Sequence, residues 1–171
     1  MTSISVIIGT ERNILCGFFE LERKINTKIS LPLKILLLAA TGTIESTLSI
    51  LTNCETEIKI LKQKDNCNVI KRTVAITQKR TGIVLVRADS IIYPWNLPYG
   101  IIQTIRKKDQ SIGKIITAYQ LETFRSIHSI GYNPANKSFF RVYKIMYNKN
   151  IAFVIKEVFV SSLNREIEMN T

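Results

Sequence analysis

The chain has 171 residues, 46% hydrophobic and 22% charged, which is room for one folded domain and too apolar a composition for a disordered chain. Its 24 Lys+Arg against 13 Asp+Glu give a formal charge of +11, pointing to an anionic partner among nucleic acid, acidic lipid and a small polyanionic metabolite. The richest apolar stretch, residues 31–44, is interrupted by Pro32 and Lys34 and falls short of the roughly 20 apolar residues a membrane span requires.

In chain order, residues 1–30 read as an N-terminal extension. The apolar run at 4–8 is followed by Glu11 and Arg12 and lacks the basic start and small-residue cleavage site of a secretory leader, so no targeting segment is expected. From 31 to 51, Leu33, Leu36, Leu37, Ala40, Ile44, Leu48 and Leu51 recur at three- and four-residue spacing around Gly42. That spacing predicts two short helices about a Thr41-Gly42-Thr43 turn, with Thr43 capping the second. The period then changes to two. Strands are predicted near 55–62, 69–77, 83–92, 123–131, 139–147 and 151–160.

Lys79-Arg80-Thr81-Gly82 and Asn148-Lys149-Asn150 read as hairpin turns, which implies antiparallel pairing. Between the third and fourth strands, Leu97, Ile101, Ile102 and Ile105, then Ile112, Ile115, Ile116 and Tyr119, have helical spacing on either side of a polar turn at 107–111. The expected fold is a single α+β domain over 31–162, with helices packed on one six-stranded antiparallel sheet and a frayed tail at 163–171.

Several chemistries find no support. Cys16, Cys54 and Cys67 are odd in number, widely spaced and without a CxxC pair, so reduced thiols are expected rather than disulfides or zinc. His128 is the sole histidine, with no catalytic signature around it, and packing or exposure is its expected role. Neither GxxxxGK[ST] nor GxGxxG occurs, and no metal or cofactor is expected.

More informative are the charges on apolar strand faces, where an unpaired ion is costly. Arg72 shares its face with Ile70, Val74 and Ile76, and Glu157 alternates with Phe153, Ile155 and Phe159. Together they would give a small pocket an anion clamp and a proton donor. The alternative is a structural ion pair between strands, with Asp89 or Arg87 as further participants. Lys156 lies among Ala152, Val154 and Val158, so strand parity by itself does not identify a site.

Longer motifs narrow the choice. Leu36-Leu37-Leu38 and Gly42-Thr43-Ile44 are followed by Lys71-Arg72-Thr73-Val74, Val86-Arg87 and Leu97-Pro98. Then come Ser111-Ile112-Gly113-Lys114-Ile115-Ile116, Glu122-Thr123-Phe124-Arg125, Arg141-Val142-Tyr143-Lys144-Ile145 and finally 152–159, ending Lys156-Glu157-Val158-Phe159. In order and spacing this series resembles the chorismate pyruvate-lyase family, in its plastid-encoded and prokaryotic branch, over about 31–160. The resemblance implies cleavage of chorismate to 4-hydroxybenzoate, a quinone precursor, and pyruvate, without cofactor, in a closed pocket beside a six-stranded antiparallel sheet. It implies that Arg72 holds the aromatic carboxylate and that Glu157 is the essential glutamate. Ile112 matches a flap position that touches ligand through its backbone, and Ile44 an apolar lid. Arg87 and Arg125 are candidates for the enolpyruvyl carboxylate. Thr41 stands where relatives often carry an acidic residue, and Glu45 where they commonly carry a small or hydroxyl one.

Two rivals remain at this point: a non-catalytic, sensor-like domain of the same fold that binds an aromatic carboxylate, and a nucleic-acid binder. Dispersed Lys and Arg without an aromatic-basic signature argue against the second. The expected partner is therefore chorismate, bound by a monomer with no membrane span and no nucleic acid. The bias to Ile, Asn and Lys is that of an AT-rich genome. It suggests synthesis in a plastid, a chloroplast stroma for instance, with a prokaryotic cytoplasm as the alternative.

Overall fold

Val, Ile, Phe and Tyr at every second position suit a pleated, half-buried surface, and in the computed structural model these stretches pair into one antiparallel sheet. The structure describes residues 3–7, 14–38 and 43–168. Its strands are β1 (Ile4–Ile7), β2 (Thr56–Asp65), β3 (Ile70–Gln78), β4 (Val84–Ile92), β5 (Phe124–Asn133), β6 (Ser138–Tyr147) and β7 (Asn150–Phe159). They lie side by side as β1-β5-β6-β7-β4-β3-β2. The helices are α1 (Ile14–Ile25), α2 (Leu31–Leu38), α3 (Ile44–Leu51), α4 (Tyr99–Lys107), α5 (Ile112–Ala118) and α6 (Ser161–Glu168).

The sheet has seven strands, one more than alternation predicts. The added strand, β1, lies in the segment read as an extension and pairs with β5, Ile4 opposite Tyr132 and Ile7 opposite Ser129. Helix α1 follows it and buries Phe18 and Leu21. At the other end, the residues read as a frayed tail form α6, which buries Leu163 and Ile167 one turn apart; Ser162 Oγ donates to the Val84 carbonyl at 2.9 Å. The predicted Thr41-Gly42 turn lies outside the described residues. Thr43 does stand at the start of α3, but its hydroxyl pairs with Ser46 Oγ at 2.8 Å and caps no backbone N–H.

Local chemistry accounts for the turns. Asn148 and Lys149 both have left-handed backbone, φ 47° and 64°, which makes the two-residue turn whose twist matches the paired strands β6 and β7. Lys108, φ 61°, ends α4, and Ser111 Oγ accepts from the Lys114 N–H to start α5. At Gly131 a Cβ would run into the Phe140 ring and the Ile4 carbonyl, so only glycine lets β1 close on β5 there.

Two apolar clusters occupy the helix-covered face. One joins α1, α2, α3 and α6 to Ile76, Val86, Phe139 and Phe159; the other joins α4 and α5 to Ile70, Val74, Tyr143 and Phe153. The polar residues described next lie at the seam between them. On the opposite face of the sheet, Lys62, Lys64, Lys71, Arg87 and Lys156 are exposed.

Candidate functional site

Directly opposed residues of antiparallel strands point to the same face, so the pairing register lays the inward side chains in rows. One row runs Gln63, Arg72, Ser90, Ile155, Tyr143 across β2, β3, β4, β7 and β6. The next runs Val74, Ala88, Glu157, Arg141, Ile130. Above these rows lies a cavity of about 60 Å³. Arg72, Arg125, Arg141, Tyr143, Glu157 and Glu45 bring polar groups to it, and Ile58, Val74, Ile145 and Ile155 give it apolar walls. That volume has room for a few waters, and a ring-sized ligand would require the lining side chains to move apart.

Arg72 is 2% exposed and firmly held. Its Nε donates to Gln63 Oε1 at 2.7 Å, one terminal nitrogen to the Gln110 carbonyl at 2.9 Å and the other to the Ile105 carbonyl at 2.6 Å. Ile105 belongs to the last turn of α4, where carbonyls lack helical partners and favour a cation. Three of the five guanidinium donors are thereby used, leaving one on each terminal nitrogen. Burial draws the pKa of Arg72 below its ordinary value, against the opposing charge of Asp109. The fork is oriented before any ligand arrives.

Glu157 points inward as parity predicts, but it does not meet Arg72. Its Oε2 accepts from Arg141 Nε at 2.7 Å and its Oε1 from the Tyr143 hydroxyl at 2.8 Å, with all three residues buried. Arg141 also donates to the Leu36 carbonyl of α2 at 2.7 Å, and its guanidinium lies over the Tyr143 ring at 5.0 Å. An interstrand ion pair therefore exists, but not the one weighed from the sequence: the cation on Glu157 is Arg141, and neither Arg72, Arg87 nor Asp89 takes part. Arg141, Tyr143 and Gln63 are the site residues that parity reading passed over. Arg141 and Tyr143 share a phase of β6 with Phe139 and Ile145, but Phe140, Val142 and Met146 make the other phase apolar too, so alternation alone does not place Arg141 inside.

Of the other expected site residues, Ile44 on α3, Ile112 at the start of α5 and Arg125 on β5 all line the cavity. Gly113 lets α5 approach α3, since a Cβ there would lie 2.9 Å from a Thr43 methyl. Arg87 does not join them. It is exposed and lies opposite Ala75 and Val158 on the far face of the sheet, one residue out of phase with Val86 and Ala88. Lys156 and Asp89 share that far face, and Asp89 accepts from the Thr73 hydroxyl at 2.7 Å. His128 is exposed at a bulge in β5, and the three cysteines are free.

The profile of the family described as chorismate pyruvate-lyase Rv2949c-like matches residues 38–166, three quarters of the chain. The chain belongs to the Rv2949c-like chorismate pyruvate-lyase family. No curated protein matches it in sequence. Among solved structures, PhnF from Mycobacterium smegmatis shares the fold at 9% identity with a TM-score of 0.52, over 71% of this chain and 65% of PhnF, so this chain spans just under two thirds of PhnF. The C-terminal domain of the histidine utilization repressor from Pseudomonas syringae pv. tomato is similar at 7% identity and TM-score 0.45, over 63% of this chain and 93% of that one. The ligand-binding domain of a GntR-family transcriptional regulator from Bordetella bronchiseptica is similar at 8% identity and TM-score 0.43, over 62% and 86%. No helix among the described residues of this Rv2949c-like chain is long and apolar enough to cross a membrane.

One titration follows from the geometry of this family member. Burial raises the Tyr143 pKa well above the ordinary tyrosine value, and the charge of Glu157 adds to the rise against the opposing pull of Arg141. A phenol raised on folding contributes stability that is fully present below about pH 10 and lost at higher pH, as the unfolded chain ionises and the folded one does not. We expect Tyr143→Phe to leave the number of tyrosines ionising in the folded protein unchanged in an alkaline absorbance titration. Loss of one chromophore titrating near pH 10 would show the hydroxyl to be open to water.

Proposed function

We propose that the protein is a chorismate lyase, releasing 4-hydroxybenzoate and pyruvate by elimination. The observation that carries this reading is the cavity on the inner sheet face of an Rv2949c-like chain, where three arginines and a carboxylate network meet between apolar walls. A ring with two carboxylates matches such a cavity in charge and in apolar character. In the reaction the ether C–O bond to the ring breaks, the adjacent ring carbon loses its proton, and the departing enolpyruvate takes up a proton to become pyruvate. Aromatisation drives the step, so the protein need supply only geometry and charge.

In this reading Arg72 grips the ring carboxylate with its two remaining N–H groups. Arg125 takes the enolpyruvyl carboxylate. Glu157 acts through its partners: Arg141 can only donate, so Oε2 is an acceptor, and a proton passing between Glu157 and ligand travels by way of the Tyr143 hydroxyl. A second reading, a binding domain without turnover, is favoured by that same engagement, because each Glu157 oxygen is already held by a protein donor, as in a structural ion pair. The test is to incubate the protein with chorismate and follow 4-hydroxybenzoate and pyruvate. Equimolar release, lowered at least about 100-fold by Arg72→Ala, is the expected result. Micromolar binding of 4-hydroxybenzoate with no release of pyruvate would leave the binding domain.

A further inference from the structure

Glu45 lines the same cavity, and nothing so far has given it a role. It is the second residue of α3, its backbone carbonyl accepts from the Thr56 hydroxyl at 3.1 Å, and its side-chain Oε1 is shut off from solvent with no hydrogen-bond partner. Of the donors around it, the Thr43 and Ser46 hydroxyls pair with each other, and three of those of Arg72 go to Gln63, Ile105 and Gln110. A buried carboxylate oxygen without a donor costs stability, and such a cost persists where a ligand later supplies the donor. Glu157 lines the cavity as well, but each of its oxygens already accepts from a protein donor, whereas Glu45 Oε1 has none.

We infer that Glu45 is a specificity-determining residue that accepts a hydrogen bond from a hydroxyl group of the ligand. The inference rests on the aromatic-acid reading above and narrows it. The ligand's carboxylates go to the arginines, a carboxylate beside Glu45 is repelled, and the ring position facing Glu45 must carry a neutral donor. The ligand class is thus a hydroxylated ring acid, and the same ring acid without its hydroxyl is a poor ligand.

The experiment compares 4-hydroxybenzoate with benzoate by titration calorimetry on the full chain, for wild type, Glu45→Met and Glu45→Gln, with thermal unfolding of each. In wild type we expect 4-hydroxybenzoate to bind at least about 10-fold tighter than benzoate. In Glu45→Met that ratio should fall towards one while the unfolding temperature stays level or rises, because an unpaired buried oxygen has been removed. Glu45→Gln, which keeps an acceptor, should retain part of the preference. An undiminished ratio in both variants, or a wild type that binds the two acids equally, would overturn the role of Glu45 and leave the aromatic-acid site standing. Wild type that binds neither acid at millimolar concentration would overturn that site reading, and the role of Glu45 with it.

Discussion

Arg141→Met is expected to destabilise the fold by about 3–5 kcal/mol, read as a lowered urea midpoint with little change in slope. The substitution strands the Glu157 carboxyl group in the sheet interior without its guanidinium partner, leaving the bond from the Tyr143 hydroxyl, and it removes the Arg141 donor from the Leu36 carbonyl. Glu157→Leu should cost a similar amount by stranding the guanidinium. The informative variant is the pair. Arg141→Met with Glu157→Leu removes both charges at once, and most of the loss should return, because a buried ion pair is dear to break and cheap to replace with apolar groups. Additive losses in the double variant would mean that the two residues stabilise independently, through Leu36 and Tyr143 and not through each other.

Arg72→Lys is expected to weaken 4-hydroxybenzoate binding by about 100-fold, nearly as much as Arg72→Ala, despite keeping the charge. The reason is the wiring of the guanidinium. Its fork spans Gln63 on β2, the end of α4 and the loop before α5, and two further donors remain on a residue that lines the cavity. A lysine ammonium has three donors and no plane, so satisfying the helix leaves little for the ligand. Unfolding in urea separates the two jobs: the lysine variant should lose about 1–3 kcal/mol from carbonyls left short of donors. Full affinity in Arg72→Lys would show that charge alone recruits the ligand.

Much of this site was legible in the sequence because a strand displays its two faces in alternation. Arg72 and Glu157 stood out since their strands are apolar on either side of them. On β6, Arg141 and Lys144 are both charged, the strand looks two-sided, and only the register opposite Glu157 settles which cation is inside. Arg87 went astray because its strand reads as apolar on both faces, with Leu85 and Ile91 on its own phase. On β5 the bulge after Ile127 puts Arg125 and Ile130 on one face although their numbers differ in parity, so alternation there misleads. The added strand β1 is four residues long and gains its partner from the far end of the chain. Helix α6 shows only Leu163 and Ile167 as its apolar stripe, too little to read locally. Gln63 is visible as a site residue only once Arg72 is seen to need an acceptor.

The sheet also sorts its cations by kind. The inner face holds Arg72, Arg125 and Arg141, whereas the outer face holds Lys62, Lys64, Lys71, Lys144 and Lys156, with Arg87 as the exception. Guanidinium is weakly hydrated and can be satisfied by several fixed acceptors; ammonium holds its water and stays outside. A one-residue slip of β3 against β4 would carry Lys71 and Thr73 inward and turn Arg72 out to solvent, abandoning the Ile105 and Gln110 carbonyls. The buried arginines thus act as alignment keys for the strands: the residues that would meet the ligand also make every neighbouring register a poor fit.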